Sequence, residues 1–225
     1  MPARLVPRWA RWVAAVVGVL LVAVMAFAIF EPIQVLPRMQ LAPGFALTDQ
    51  NGAILTSEDT RGSVTLYTFA WAGCGDECAE INRTMAAVRE RVADEVDLGD
   101  TEFRLVTVSF GADEVPALAE AAEASGADGD IWRWAVADPA LAKTVIGAGF
   151  GAFYETRSDG TFRFDPTFVL VDGWGVIRGD YRYATLAGTD DRVVRHVDVL
   201  AQELRNSSGV ASLAYEAAHL FLCYP

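Results

Sequence analysis

The chain has 225 residues, of which 52% are hydrophobic, 11% aromatic and 21% charged. That balance excludes a disordered chain, and 19 Gly, 9 Pro and 3 Cys exclude collagen-like and disulfide-dense classes. The formal charge is −12; the only charged side chains before residue 31 are the positive Arg4, Arg8 and Arg11, so the rest holds 15 basic against 30 acidic residues, a surface that repels nucleic acid and anionic lipid and attracts cations.

Trp12 to Phe30 is an uncharged run of 19 residues. As a helix it would be about 28 Å long, close to the thickness of a bilayer's hydrocarbon core. With three arginines on one side, residues 1–11 read as a cytoplasmic N-terminus and 12–30 as a single transmembrane anchor in the cell membrane. Residues 31–225 then lie outside the cytoplasm. A signal peptide cleaved after Ala26-Phe27-Ala28 is the rival reading, but the run is longer than an ordinary signal h-region. Residues 31–41, rich in proline, read as a tether.

Residues 42–205 read as one α/β domain. Phe45, Leu47, Ile54 and Leu55 flank Asn51-Gly52 and predict a small hairpin. Val64 to Ala70 (VTLYTFA) predicts a buried strand, and Glu77 to Val92, apolar at Ile81, Met85, Val88 and Val92, a helix. A strand over Phe103 to Phe110, a helix over Val115 to Ala124 and a strand over Trp132 to Val136 follow. Pro139 to Ile146 predicts a helix with proline in its first turn. Thr167 to Asp172 and Val176 to Tyr183 predict a hairpin around Gly173-Trp174-Gly175. Asp190 to Leu204 predicts an amphipathic helix through Val193, Val194, Val197, Leu200 and Leu204. The order implies a central mixed sheet with helices on both faces. Residues 206–225 read as a tail with a short helix.

The chemistry centres on AWAGCGDECAE, residues 70–80. Cys74 and Cys78 follow a strand and open a helix, four residues apart. The two sulfurs can meet, in a disulfide or around one metal ion. A helix N-terminus favours the thiolate of Cys74, whereas Asp76 and Glu77 oppose it but favour a bound cation. Two thiolates suit monovalent copper, and zinc would want more protein ligands. The plainer reading is a stabilising disulfide or two buried thiols. Cys223, near the C-terminus in an apolar context, reads as a buried or membrane-facing thiol. His196 and His219 read as ordinary surface or core histidines.

Residues 42–78 (APGFALTDQNGAILTSEDTRGSVTLYTFAWAGCGDEC) and 164–181 (FDPTFVLVDGWGVIRGDY) resemble the opening and closing segments of the SCO/SenC family. The resemblance implies a thioredoxin-like fold held by an N-terminal membrane helix, and a part in assembling the copper centre of cytochrome c oxidase. It also implies copper bound through Cys74 and Cys78. The family's third ligand is a histidine before the closing strand, but here the triplet is Asp165-Pro166-Thr167. Gly75 and Ala79 stand where the family has proline, and SFGADEVP replaces its Asp-Thr-Pro signature. Pro166 instead resembles the cis-proline of TlpA/ResA-type thiol–disulfide oxidoreductases, which guides substrate to an attacking Cys74 and a resolving Cys78. Its plainer reading is an ordinary turn entering an edge strand. The expected partner is the copper-centre subunit of the oxidase or another thiol-containing extracytoplasmic protein.

Overall fold

The seven residues Val64–Ala70 form a strand, β4, with every side chain buried, as a continuous apolar run at the centre of a covered sheet should. In the computed structural model the described residues are 7–30, 34–182, 188–207, 209 and 211–221. Two compact units divide between Gln34 and Val35.

In the first unit, α1 spans Arg8–Phe30 and covers the apolar run. Side chains at 23, 24 and 26–30 lie outside the described ones. Among the described residues no helix is long and apolar enough to cross a membrane.

The second unit is an eight-stranded mixed sheet with helices, the α/β fold expected. Its strands are β1 (Gln40–Leu41), β2 (Ala46–Asp49), β3 (Ile54–Thr56), β4, β5 (Phe103–Ser109), β6 (Trp132–Val136), β9 (Thr167–Val171) and β10 (Val176–Arg182). They lie in the order β1-β10-β9-β4-β5-β6-β2-β3. β4, β5 and β6 are parallel, while β9 runs antiparallel to β4. A two-stranded ribbon, β7 (Tyr154–Thr156) with β8 (Phe162–Phe164), stands apart from the sheet.

The parallel β4-α2-β5-α3-β6 connections bring α2 (Ala79–Glu95) and α3 (Val115–Ser125) into contact with one another on one face. There α5 (Thr189–Asn206) packs beside α2. The predicted stripe of α2 is buried at Ile81, Met85, Val88 and Val92. On the other face Tyr67 and Phe69 of β4 pack against Phe150, with ring centroids 4.8 and 5.4 Å away. The tail forms α6 (Ala211–Phe221) as expected; Cys223 and Tyr183 lie outside the described residues.

Three local expectations change. Residues 35–41 do not hang free: Val35 and Leu36 are fully buried, and β1 adds to the sheet edge beside β10. The helix expected over 139–146 is α4 (Pro139–Ala142), capped by Asp138 Oδ1 accepting from Ala140 N at 2.8 Å, followed by a wider π-helical turn over Lys143–Gly149. Thr144, Val145 and Ile146 crowd a tight helix and the glycines at 147 and 149 weaken it, which favours the wider turn. The β7–β8 ribbon was not expected from sequence.

Candidate functional site

Cys74 and Cys78 are joined in a disulfide with Cα atoms 5.6 Å apart. The geometry differs from the single helix expected. Ala72–Cys78 is a tight 3-10 segment broken at Gly75, whose φ of 48° and ψ of −126° are not helical, and α2 starts only at Ala79. The residue at the N-cap of α2 is therefore Cys78 rather than Cys74. The backbone still curls enough to join the sulfurs: Cys74 N donates to Trp71 O at 3.1 Å, and Ala79 N donates to Asp76 O. Cys78 is fully buried, whereas Cys74 keeps 7% of its surface exposed. Asp76 and Glu77 are exposed on the same loop.

Two groups that the sequence reading missed hold this loop. The first is Asp113, in the segment SFGADEVP. Its Oδ2 accepts from Ala72 N at 2.9 Å and also from Ser109 Oγ, and Ser109 Oγ in turn accepts from Gly111 N at 3.0 Å. A carboxylate from the end of β5 thus ties down the start of the cysteine loop. Gly111 permits the approach, since a Cβ there would lie 2.8 Å from the Asp113 carboxylate.

The second group is aromatic. Trp71 meets Phe110, Phe162 and Phe164 with centroids at 5.6, 5.2 and 5.5 Å. Phe110 stacks on Tyr154 at 4.8 Å. The ribbon β7–β8 supplies three of these five rings. Its one signal in the sequence was Ser158-Asp159-Gly160, a turn set between two short segments that carry aromatic residues. Burial pushes the Tyr154 phenol above its ordinary value, and that of Tyr67, deeper in the core, to about 12, so both stay neutral, and Tyr67 Oη donates to Thr60 Oγ1 at 3.1 Å.

Pro166 lies just before β9. Thr68 of β4 pairs with Phe168, and the same register carried on sets Pro166 opposite Ala70, at the end of the sheet from which the cysteine loop departs. Among the described residues no peptide bond is cis, so the Asp165–Pro166 bond is trans and the cis-proline reading is corrected. Just before β9, Asp165 N donates to Phe153 O at 3.2 Å.

The two histidines serve elsewhere. His196 Nδ1 is 2.7 Å from Tyr181 Oη, and His219 Nε2 is 2.9 Å from Glu203 Oε1. Glu203 also pairs with Arg178, which donates to Asp172 Oδ2 and to the carbonyl of Leu36. That buried network joins α5, α6, β10 and the segment around Leu36. Among the described residues no group of three His, Cys, Asp or Glu side chains could hold a metal ion.

The fold is shared with structures of low sequence identity. An SCO1/SenC family lipoprotein from Bacillus anthracis str. Ames superposes with a TM-score of 0.63 at 18% identity, over 72% of this chain and 95% of that one. BsSco, described as a member of the Sco family of cytochrome c oxidase assembly proteins with a disulfide switch, gives 0.62 at 18%, over 74% and 96%. Arabidopsis thaliana ScoI with copper bound gives 0.59 at 18%, over 70% and 98%. No curated protein matches the sequence. The sequence model of SCO1/SenC matches residues 34–202, which spans the sheet, the cysteine loop and α2 to α5. The chain belongs to the SCO1/SenC family.

Proposed function

We propose that this chain supports assembly of the cytochrome c oxidase copper centre, working outside the cytoplasm with residues 12–30 as a single-pass anchor. Cys74 and Cys78 are its working residues. The observation that carries the reading is the disulfide-bonded CxxxC at the β4–α2 junction of an SCO1/SenC domain.

The geometry favours thiol–disulfide exchange. Attack comes at the more exposed Cys74 sulfur, and Cys78 leaves as a thiolate at the N-cap of α2, where the helix terminus favours negative charge. A dithiol partner supplies the two electrons and is itself oxidised to a disulfide. In the reduced form the two thiolates can carry monovalent copper as cargo in a near-linear arrangement. Divalent copper wants further ligands, and Pro166 offers none in the family's histidine place. The electron donor is another thiol-containing extracytoplasmic protein, and the copper-centre subunit of the oxidase is the acceptor of the copper, its own thiols staying reduced. The TlpA/ResA-type reading shares both cysteine roles but has no cis-proline to guide substrate.

Copper titration of the reduced chain, followed by charge-transfer absorbance, tests this. One monovalent copper bound per chain and lost in Cys74→Ser, with weak divalent binding that strengthens in Pro166→His, supports the reading. Tight divalent binding abolished by changing His196 or His219 would overturn the ligand assignment.

A further inference from the structure

Trp71, Trp132 and Trp134 are buried, and two of them bond their ring nitrogens inside the fold. Trp132 Nε1 donates to Thr107 Oγ1 at 3.0 Å, and Trp134 Nε1 to Ser125 Oγ at 2.9 Å, as buried indoles ordinarily do. Trp71 is the exception. Only 9% of it is exposed and Phe110, Phe162 and Phe164 hold its ring, yet among the described residues its Nε1 has no acceptor, and that nitrogen is not sealed from solvent. Gly73 keeps it open. This glycine is exposed and its φ is not positive, so the backbone does not call for glycine there. The space does: a Cβ at Gly73 would lie 3.2 Å from Trp71 Nε1 and 3.5 Å from Cδ1, across the edge that carries the N–H. The donor is thus presented over the residue that precedes Cys74. Cys74 N donates to Trp71 O at 3.1 Å, so Trp71, Gly73 and Cys74 share one tight turn.

We propose that the Trp71 N–H positions the substrate of the exchange: it donates to the backbone carbonyl oxygen beside the reacting cysteine of the thiol partner. The proposal rests on the thiol exchange at Cys74 set out above, and it names what that exchange recognises, a polypeptide thiol in preference to a small free one. An indole N–H is a neutral donor with no acceptor capacity, and the neutral acceptor that every polypeptide cysteine carries beside it is a backbone carbonyl. Held by three rings, the indole has little rotamer freedom left to lose when the bond forms. The partner thiolate attacks Cys74 Sγ, the Cys74–Cys78 bond breaks, and its electron pair leaves on Cys78 Sγ, which takes a proton. While the mixed disulfide stands, the N–H holds the partner backbone beside it. A second partner thiolate then attacks the partner's own sulfur and expels the Cys74 thiolate. The partner leaves oxidised by two electrons, and the protein is left as the dithiol.

The test uses the full-length disulfide form in mild detergent. Its rate of reduction is measured with a dithiol peptide of the form Gly-Cys-Gly-Gly-Cys-Gly and with dithiothreitol, which has no carbonyl. Trp71→Phe removes the N–H and keeps a ring in the cluster; Gly73→Ala keeps the indole and covers its N–H. In each, the ratio of the peptide rate to the dithiothreitol rate should fall about fivefold, the worth of one neutral hydrogen bond. Because both changes remove the same bond, the double variant should show the same loss as either alone. A ratio within twofold of the unmodified chain in either single variant, or losses that multiply in the double variant, would overturn the Trp71 assignment while leaving thiol exchange intact. A disulfide that neither reductant opens would overturn thiol exchange itself, and the assignment with it.

Discussion

Replacing Gly75 by proline, the residue the family carries after its first cysteine, should disturb the disulfide form selectively. Gly75 has φ of 48°. Proline fixes φ near −65°, so the backbone between the two cysteines would have to turn by about 110°. A Cβ at this position would meet nothing within 4 Å, so the conflict is one of backbone conformation and not of space. Holding a residue in such a region costs about 1–3 kcal/mol. While Cys74 and Cys78 are bonded the loop is closed and must bear that cost; once they separate it relaxes. At about 1.4 kcal/mol per 30 mV for a two-electron couple, the reduction potential should rise by roughly 20–65 mV. Gly75→Ala, held at φ of 48° and ψ of −126° where L residues are rarely found, should shift it in the same direction by roughly 20–65 mV. Equilibration in dithiothreitol redox buffers with thiol trapping gives both values. An unchanged or lowered potential in Gly75→Pro would refute the claim that this loop depends on the positive φ.

Phe110→Ala should cost about 3–5 kcal/mol in urea unfolding, because it opens a cavity among Trp71, Tyr154, Phe162 and Phe164; a loss under 1 kcal/mol would refute the aromatic clamp. Arg178→Met should cost about 3–5 kcal/mol by leaving the buried carboxylates of Asp172 and Glu203 without their partner, and a neutral change in unfolding free energy would show that the network contributes nothing. The hydrogen bond from Arg38 holds the Glu216 carboxyl below its ordinary value of 4.5, so the support it gives α6 is complete above that pH and is lost as pH falls through the lowered value. Hydrogen exchange in α6 should show an acid step that Glu216→Gln removes, and the same acid profile in both forms would refute the link.

The sheet was legible in the sequence where burial dictates pattern. VTLYTFA, FRLVTVSF and the stripe through Ile81, Met85, Val88 and Val92 are apolar because both neighbours are packed, and they folded as read. The site was legible as a cysteine pair but not in its surroundings. Asp113 reaches Ala72 across 41 residues of sequence, and no local spacing encodes that contact. The β7–β8 ribbon is two three-residue strands, too short for a period to show. Gly75 reads as an ordinary loop glycine until its φ is known, which is why Cys74 was expected at the helix start that Cys78 occupies. The tether was read from prolines, but Val35 and Leu36 beside them are core residues, pinned because Arg178 donates to the Leu36 carbonyl.

In the proposed function Cys74 and Cys78 serve the copper centre of cytochrome c oxidase. Its most direct test is the copper content of that centre in host membranes, measured by its absorbance and paramagnetic signal after replacing the chain with Cys74→Ser/Cys78→Ser. The expected result is an oxidase with its haem present and its copper centre depleted, restored by the unmodified chain. A fully loaded copper centre in cells carrying only the double-serine form would contradict it.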